Sequence, residues 1–343
     1  METMIQMFEW DLSHEDKLWK KIVDQSSILK DLGITKAWLP PAYKGHKGMY
    51  DSGYGVYDLY DLGTYDQKGS ISTKYGSEFE YLQAIDSLKE NDIDVIVDVV
   101  LNHRLGADAT EIFQAYLVSP FDRSKIKEEK EIEAWTKFDF PNRNEERSKF
   151  KMNKNHFKGI DYAVNQSSSG IYLFKDKTWD HNIDLEHGNY DYLLGADVDL
   201  YNPEVYEDLV HWGRWYQEYT NFDGMRLDAV KHIDFKFFPQ WLKDLNYNKD
   251  MFYVAEYWSA DLRALHNYLM MSEDKLNLFD VPSHYNFHEA SLKPYSYDMR
   301  NIFQNTLVQN QSDYAVSFVD NHDTQKGQSL ESWVDNWFKL HAY

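Results

Sequence analysis

Between Asp94 and Leu101 the chain reads Asp-Val-Ile-Val-Asp-Val-Val-Leu, aliphatic on both of the faces an extended segment presents. A strand of that kind must be covered on both sides. In an α/β protein this means a parallel sheet with helices packed against each face. Asp98 lies inside the run, and an unpaired buried charge is expensive, so a cation must reach it from elsewhere; Arg226 is the candidate.

Strand-like and helix-like segments alternate around this run. Residues 4–10 read as a first strand and 17–32 as a helix stopped at Gly33. Residues 36–39 read as a strand halted by Pro40-Pro41, and 78–90 as a second helix. Later come helices at 204–220, 235–245, 261–271 and 329–340, and strands at 224–227, 251–256, near Leu278-Phe279 and from Val316. The alternation points to βαβ units, with seven strands and no eighth. A chain of 343 residues can make one large α/β barrel with an insertion, or two ordinary domains.

The rhythm breaks from Arg104 to about Asn202, where a charged run, scattered aromatics and a short β-like piece at 170–174 replace it. A loop that long is rare in a compact domain, so an inserted subdomain is expected there. Its end, Tyr190-Asp191-Tyr192-Leu193-Leu194-Gly195-Ala196-Asp197-Val198-Asp199, gathers three acids without lysine or arginine. Such a cluster suits a hard cation with oxygen ligands, calcium first; it equally suits a solvated acidic loop.

Three strands exit into carboxylates. Phe222-Asp223-Gly224-Met225-Arg226-Leu227-Asp228 puts Arg226 and Asp228 on one strand face, where the cation favours the ionised, nucleophilic carboxylate. Glu256 follows Phe252-Tyr253-Val254-Ala255 and precedes Tyr257 and Trp258, whose rings would desolvate it and suit it to donate a proton. Asp323 closes Phe318-Val319-Asp320-Asn321-His322-Asp323. A nucleophile, an acid/base and a stabiliser of positive charge are what retaining glycoside hydrolysis requires, and barrel enzymes keep their chemistry at strand exits. For the stretch around Arg226 and Asp228 alone, a surface ion pair at a loop is an equal reading.

Composition excludes other classes. The formal net charge of −21 argues against nucleic acid and anionic membranes. Without cysteine there are no disulfides and no thiolate metal sites. No apolar run approaches a membrane span and no leader is visible, so a soluble cytoplasmic protein is expected, or a secreted one lacking its leader. Eleven Trp and 26 Tyr suit the stacking of sugar rings, although most aromatics simply pack cores. Tyr54, in a Gly/Tyr/Asp-rich loop, either stacks on a sugar or braces the loop.

The segments Asp98-Val99-Val100-Leu101-Asn102-His103, Gly224 to His232, Val254-Ala255-Glu256 and Phe318 to Asp323 resemble, in order and spacing, the four short regions of the α-amylase family, glycoside hydrolase family 13. The likeness is strongest to bacterial liquefying and intracellular α-amylases and covers nearly the whole chain. It implies a (β/α)8 TIM-type barrel from residues 1–103 and 205–343, a β-rich insertion at 104–204 after the third strand, and endo-hydrolysis of α-1,4-glucosidic links in starch, glycogen or maltodextrin. It makes Asp228 the nucleophile, Glu256 the acid/base and Asp323 the stabiliser. Tyr54, His103, Arg226, Lys231, His232 and His322 become substrate-binding residues. One Ca2+ would be held by Asn102, Asp191, Asp197 and the His232 carbonyl, with Asp180 and Asp199 as ligands of additional ions. Retention further implies carboxyls of Asp228 and Glu256 ~5–5.5 Å apart.

The chain also departs from the family pattern. Lys158 and Tyr201 stand where the family's additional metal cluster uses acids, which favours a single calcium. The eighth strand and the C-terminal β-sandwich are missing, so a fragment with two open sheet edges is expected. The expected partner is an α-glucan and the expected state a monomer, with neither nucleic acid nor membrane. Two other readings stand beside hydrolysis: a glucan-binding remnant without activity, and a related transglycosylase or α-1,6-specific enzyme.

Overall fold

The structure, a computed structural model, describes residues 2–247, 250–273, 275–293 and 295–335. Seven strands form the main sheet: β1 Met4–Gln6, β2 Lys36–Trp38, β3 Asp94–Val99, β4 Gly224–Leu227, β5 Phe252–Ala255, β6 Asn277–Phe279 and β7 Ala315–Val316. They lie side by side in chain order and every pairing is parallel. Helices α1 Leu18–Asp31, α2 Glu78–Glu90, α3 Pro203–Thr220, α4 Phe237–Leu245, α5 Leu262–Met271 and α6 Val281–Leu292 make the crossovers.

Several helix starts are written locally. Ser77 accepts from the Glu80 amide while the Glu80 carboxylate takes the Ser77 N–H at 2.8 Å, a reciprocal cap for α2. Asn202 caps α3 with Pro203 in the first turn, and Asp261 and Asp280 cap α5 and α6. Gly224 opens β4 because nothing larger fits: a Cβ there would lie 2.4 Å from the Phe252 carbonyl oxygen and 2.7 Å from Ile96 Cδ1.

The sheet is curled. Strands are about 4.8 Å apart, so β2 and β6, four steps removed, would be separated by roughly 19 Å in a flat sheet. Yet the rings of Trp38 on β2 and Phe279 on β6 are 5.5 Å apart. Residues beyond the two edge strands meet as well: the Trp10 amide donates to Gln325 Oε1 at 2.9 Å, and Phe8 lies 5.1 Å from the His322 ring. The result is a TIM-like half-barrel in which β1 and β7 have no outer ladder partner among the described residues.

Between β3 and α3 lies a six-stranded antiparallel sheet, ordered 103–104, 196–198, 157–163, 168–174, 109–118 and 126–137. Its longest arm, Ile126–Lys137, contains most of the charged run. Ile132, Ala134 and Thr136 alternate inward while the charges face water, a period of two that the density of charge obscures in the sequence. Asp197 pairs with His103 across this sheet, so the insertion leaves and returns at one point beside the exit of β3.

Some expectations need correction. The final sheet strand is regular only over Ala315–Val316, and the acids after it sit in a loop. Residues 329–335 are not helical, and 336–340 lie outside the described residues. Helix α6 was not anticipated: its apolar and polar residues are not segregated into the stripe that marks a helix in sequence. No helix among the described residues is long and apolar enough to cross a membrane.

Candidate active site

The register of β3 and β4 sets Asp98 directly beside Arg226. Arg226 Nη1 donates to Asp98 Oδ1 at 2.8 Å and to Asp228 Oδ1 at 2.6 Å. Nη2 lies 2.9 Å from Glu256 Oε2, close enough for an ion pair but out of line for a hydrogen bond. The second oxygen of Asp98 accepts from the Tyr54 hydroxyl at 2.7 Å and from Trp38 Nε1 at 2.9 Å. The strand-interior acid thus receives the expected cation, together with two neutral donors.

Glu256 follows β5, and its Oε2 also accepts the Ala229 amide at 3.2 Å. Ala229 has a left-handed backbone, φ +51°, that turns the chain just after Asp228 and aims this amide at Glu256. Glu256 Oε1 is buried without a hydrogen-bond partner in the protein. Of the aromatic neighbours expected to desolvate Glu256, Tyr257 instead bonds Asp184 and packs 5.2 Å from Tyr268; Trp258 does line the cleft.

Asp323 and His322 reach the same cleft from the loop after β7, with His322 Nε2 3.4 Å from Asp323 Oδ2. The His322 ring lies nearly parallel to Tyr54 at 4.9 Å and to Trp10 at 5.9 Å. His103 Nε2 meets the Tyr54 carbonyl at 2.8 Å. Lys231 bonds Glu186 at 2.6 Å, and His232 Nδ1 meets the Tyr190 carbonyl at 2.7 Å. Asp228, Glu256, Asp323, Tyr54, His103, Lys231, His232 and His322 all line one cleft of about 490 Å³, with Arg226 buried behind its floor. Trp10 and Trp258 also line it, and sequence reasoning missed Trp10; its position just past the first strand was the available signal.

Four carboxylates, Asp98, Asp228, Glu256 and Asp323, surround this single guanidinium. Burial foremost pushes Asp228 well above the usual carboxylate range; Arg226 opposes, while Glu256, Asp98 and Asp323 push further up. The arginine alone therefore does not fix the charge of Asp228. Burial, then Glu256, raises Asp323 to about 7. Burial lowers His103 to about 4, and burial followed by the nearby Arg226 holds His322 well below the ordinary imidazole range. Crowding and burial thus push Asp228 and Asp323 toward their protonated forms and these two histidines toward the neutral ring.

The α-amylase catalytic-domain model matches residues 14–336. The chain belongs to the α-amylase family. It is 50% identical to the α-amylase of Geobacillus stearothermophilus over 99% of its own length and 63% of that protein's. It is 48% identical to the Bacillus licheniformis α-amylase and 45% identical to the cytoplasmic α-amylase of Escherichia coli, spanning 67% and 70% of them. The chain thus covers roughly two thirds of these α-amylases. Among solved structures, α-amylase I of Eisenia fetida superposes with a TM-score of 0.65 at 15% identity, covering 100% of this chain and 62% of that one; this likeness concerns the fold.

The expected metal ligands lie where the insertion meets the barrel, and lysines sit among them. Lys158 Nζ contacts Asp180 at 3.0 Å and both oxygens of Asp191 at 2.7 and 2.6 Å; Lys177 Nζ bonds Asp199 at 2.7 Å. No group of three or more His, Asp or Glu side chains among the described residues is arranged to hold a metal by itself.

Proposed function

We propose that this chain hydrolyses internal α-1,4-glucosidic links of starch, glycogen or maltodextrin with retention at the anomeric carbon. The observation that carries the reading is the shared guanidinium: Arg226 touches Asp228 and Glu256 at the floor of one cleft that Asp323 also lines. The names of the relatives support it.

In the reading put forward, Glu256 is the proton donor and Asp228 the nucleophile. Arg226 makes an aligned, charge-assisted hydrogen bond to Asp228 and only an out-of-line contact to Glu256, which favours charge on Asp228. Glu256 Oε1 gives its proton to the glycosidic oxygen while Asp228 attacks the anomeric carbon. The leaving sugar departs with a free hydroxyl, and an ester joins the retained glucose to Asp228. Water then attacks the same carbon, Glu256 takes its proton, and the Asp228 carboxylate is released. Asp323 and the neutral His103 and His322 hold sugar hydroxyls, Tyr54 and Trp10 offer aromatic faces, and Lys231 and His232 line the leaving-group side. The two sheet edges that have no ladder partner among the described residues favour a second reading, a glucan-binding chain without turnover. Release of reducing sugar from soluble starch, lost in Asp228→Asn, separates the two; a shift in product size without net hydrolysis would indicate glycosyl transfer instead.

Calcium belongs to the same proposal. Asp197 is 1% exposed and its Oδ2 has no hydrogen-bond partner; neither has Asn102 Nδ2, although Asn102 is buried. These orphaned groups, with Asp191 and the His232 carbonyl, fit one hard cation with oxygen ligands, the amide of Asn102 turning its oxygen toward it. Such an ion would tie the insertion to the barrel and take no part in bond cleavage. Asp180 and Asp199 pair with the Lys158 and Lys177 ammonium groups, and Asp191 shares Lys158 with Asp180. A cytoplasmic location is the working reading from the relative so named, and cell fractionation tests it.

A further inference from the structure

Tyr50 lines the cleft from the loop that follows β2 and is 68% exposed. A single exposed aromatic is ordinary on a protein surface and by itself means nothing. Its mounting is what sets this one apart. The buried Asp51 beside it accepts the amides of Gly53 at 2.9 Å and Gly55 at 3.2 Å through Oδ1. Its Oδ2 accepts the Lys47 amide at 3.3 Å and lies 2.6 Å from His46 Nδ1. Gly45 and Gly55 make room for that carboxylate, since a Cβ would lie 2.3 Å from it at the first and 2.7 Å at the second. On the other side, the Met49 amide donates to Ser70 Oγ at 2.9 Å. His14, from the turn after β1, meets the Tyr50 ring at 76° and 5.1 Å. The backbone is thus tied on both sides of Tyr50 while the side chain is left to water.

Strand order gives the direction. Trp10, His14, Tyr50 and Tyr54 follow β1 and β2, whereas Lys231 and Trp258 follow β4 and β5, on the far side of β3. With Lys231 on the leaving-group side, the Tyr50 wall faces the part of the glucan that stays on Asp228. Tyr54, bonded to Asp98, already occupies that wall at the acids, which leaves to Tyr50 a ring farther along the chain. We propose that Tyr50, braced by His14, is a stacking platform for a glucose unit of the retained part, remote from the cleaved bond. The inference rests on the hydrolytic reading above and adds to it a determinant of chain length. A pyranose carries C–H groups on its faces and hydroxyls at its rim, so it covers an aromatic face without stranding a polar group. A platform held in place before the sugar arrives gives up little entropy on binding. Contact with a remote sugar speeds cleavage only of chains long enough to reach it.

The test compares wild type, Tyr50→Ala and Tyr50→Phe in kcat/KM on maltoheptaose and on maltotriose. The ratio of the two values is expected to fall by ~10-fold in Tyr50→Ala and to stay within about twofold of wild type in Tyr50→Phe, which keeps the aromatic face. With maltoheptaose labelled at its reducing end, the labelled fragment should lengthen in Tyr50→Ala, because the retained part is no longer held at its far sugar. An unchanged ratio or an unchanged fragment in Tyr50→Ala, or an equal fall in Tyr50→Phe, would overturn the inference. If the wild type cleaves no glucan, the hydrolytic reading fails on its own and calorimetry with maltoheptaose decides this one. Binding weakened ~10-fold in Tyr50→Ala would then sustain the platform. Equal binding, or none by the wild type, would overturn it.

Discussion

Asp98 and Arg226 are 128 positions apart in the chain, yet they are register partners on adjacent strands and their side chains meet at 2.8 Å. That pair fixes where the guanidinium stands among the cleft acids. Nη1 serves Asp98 and Asp228 together, which leaves Nη2 beside Glu256 at the strand exits. A lysine at 226 would present a single ammonium with no fixed fork. Arg226→Lys is expected to lower kcat/KM on soluble starch by at least ~100-fold, with both carboxylates still present. A loss of only a few-fold would show that the fork is not needed.

Asp228→Asn keeps the shape of the cleft and removes the oxygen proposed to attack. Turnover should fall by ~1,000-fold or more while maltodextrin binding survives, as read by reducing-sugar release and calorimetry. Loss of binding together with turnover would instead indicate a damaged cleft.

Asp323 gives a pH prediction. Its folded value, about 7, lies above the ordinary 3.8, so the folded chain holds this proton more tightly than the unfolded one. The favourable contribution is complete below about pH 4 and is lost as pH rises toward and through 7. Asp323→Asn should therefore stabilise the chain at pH 8 by on the order of 1 kcal/mol, and by progressively less as pH falls to 4, while abolishing activity. Urea unfolding of both proteins across that range measures it; a difference independent of pH would contradict the assignment.

Trp10 presents its ring in the cleft, stacked 5.7 Å from Tyr54. Trp10→Ala is expected to reduce kcat/KM on starch by ~10-fold, in line with the worth of one aromatic face. An unchanged value would remove it from the binding surface.

Asp197→Asn tests the calcium ligand set. Calcium affinity should weaken by at least ~10-fold, seen by calorimetry, because a buried carboxylate ligand with an orphaned oxygen is replaced by a neutral amide. Unaltered affinity would move the ion elsewhere.

Much of this was legible in one dimension, because the signals are local. The aliphatic run at β3 demands cover on both faces, helix-like segments at 78–90 and 204–220 alternate with strand-like ones, and the strand at 224–227 places Arg226 beside Asp228 by the two-residue period alone. The cleft acids could be named because each stands at the exit of a recognisable apolar strand. Charge balance was not legible, since it depends on which groups share a buried space. Sequence adjacency placed the Tyr257 ring beside Glu256, but the fold sends that ring to Asp184 and gives Glu256 an arginine and a backbone amide. Likewise nothing in the spacing of Lys158, Asp180, Asp191 and Asp197 reveals that one ammonium serves three acids. Local periodicity decides which face of a strand a residue occupies; only closing the curl of the sheet, and returning the insertion to its own starting point, decides whose charge it must answer.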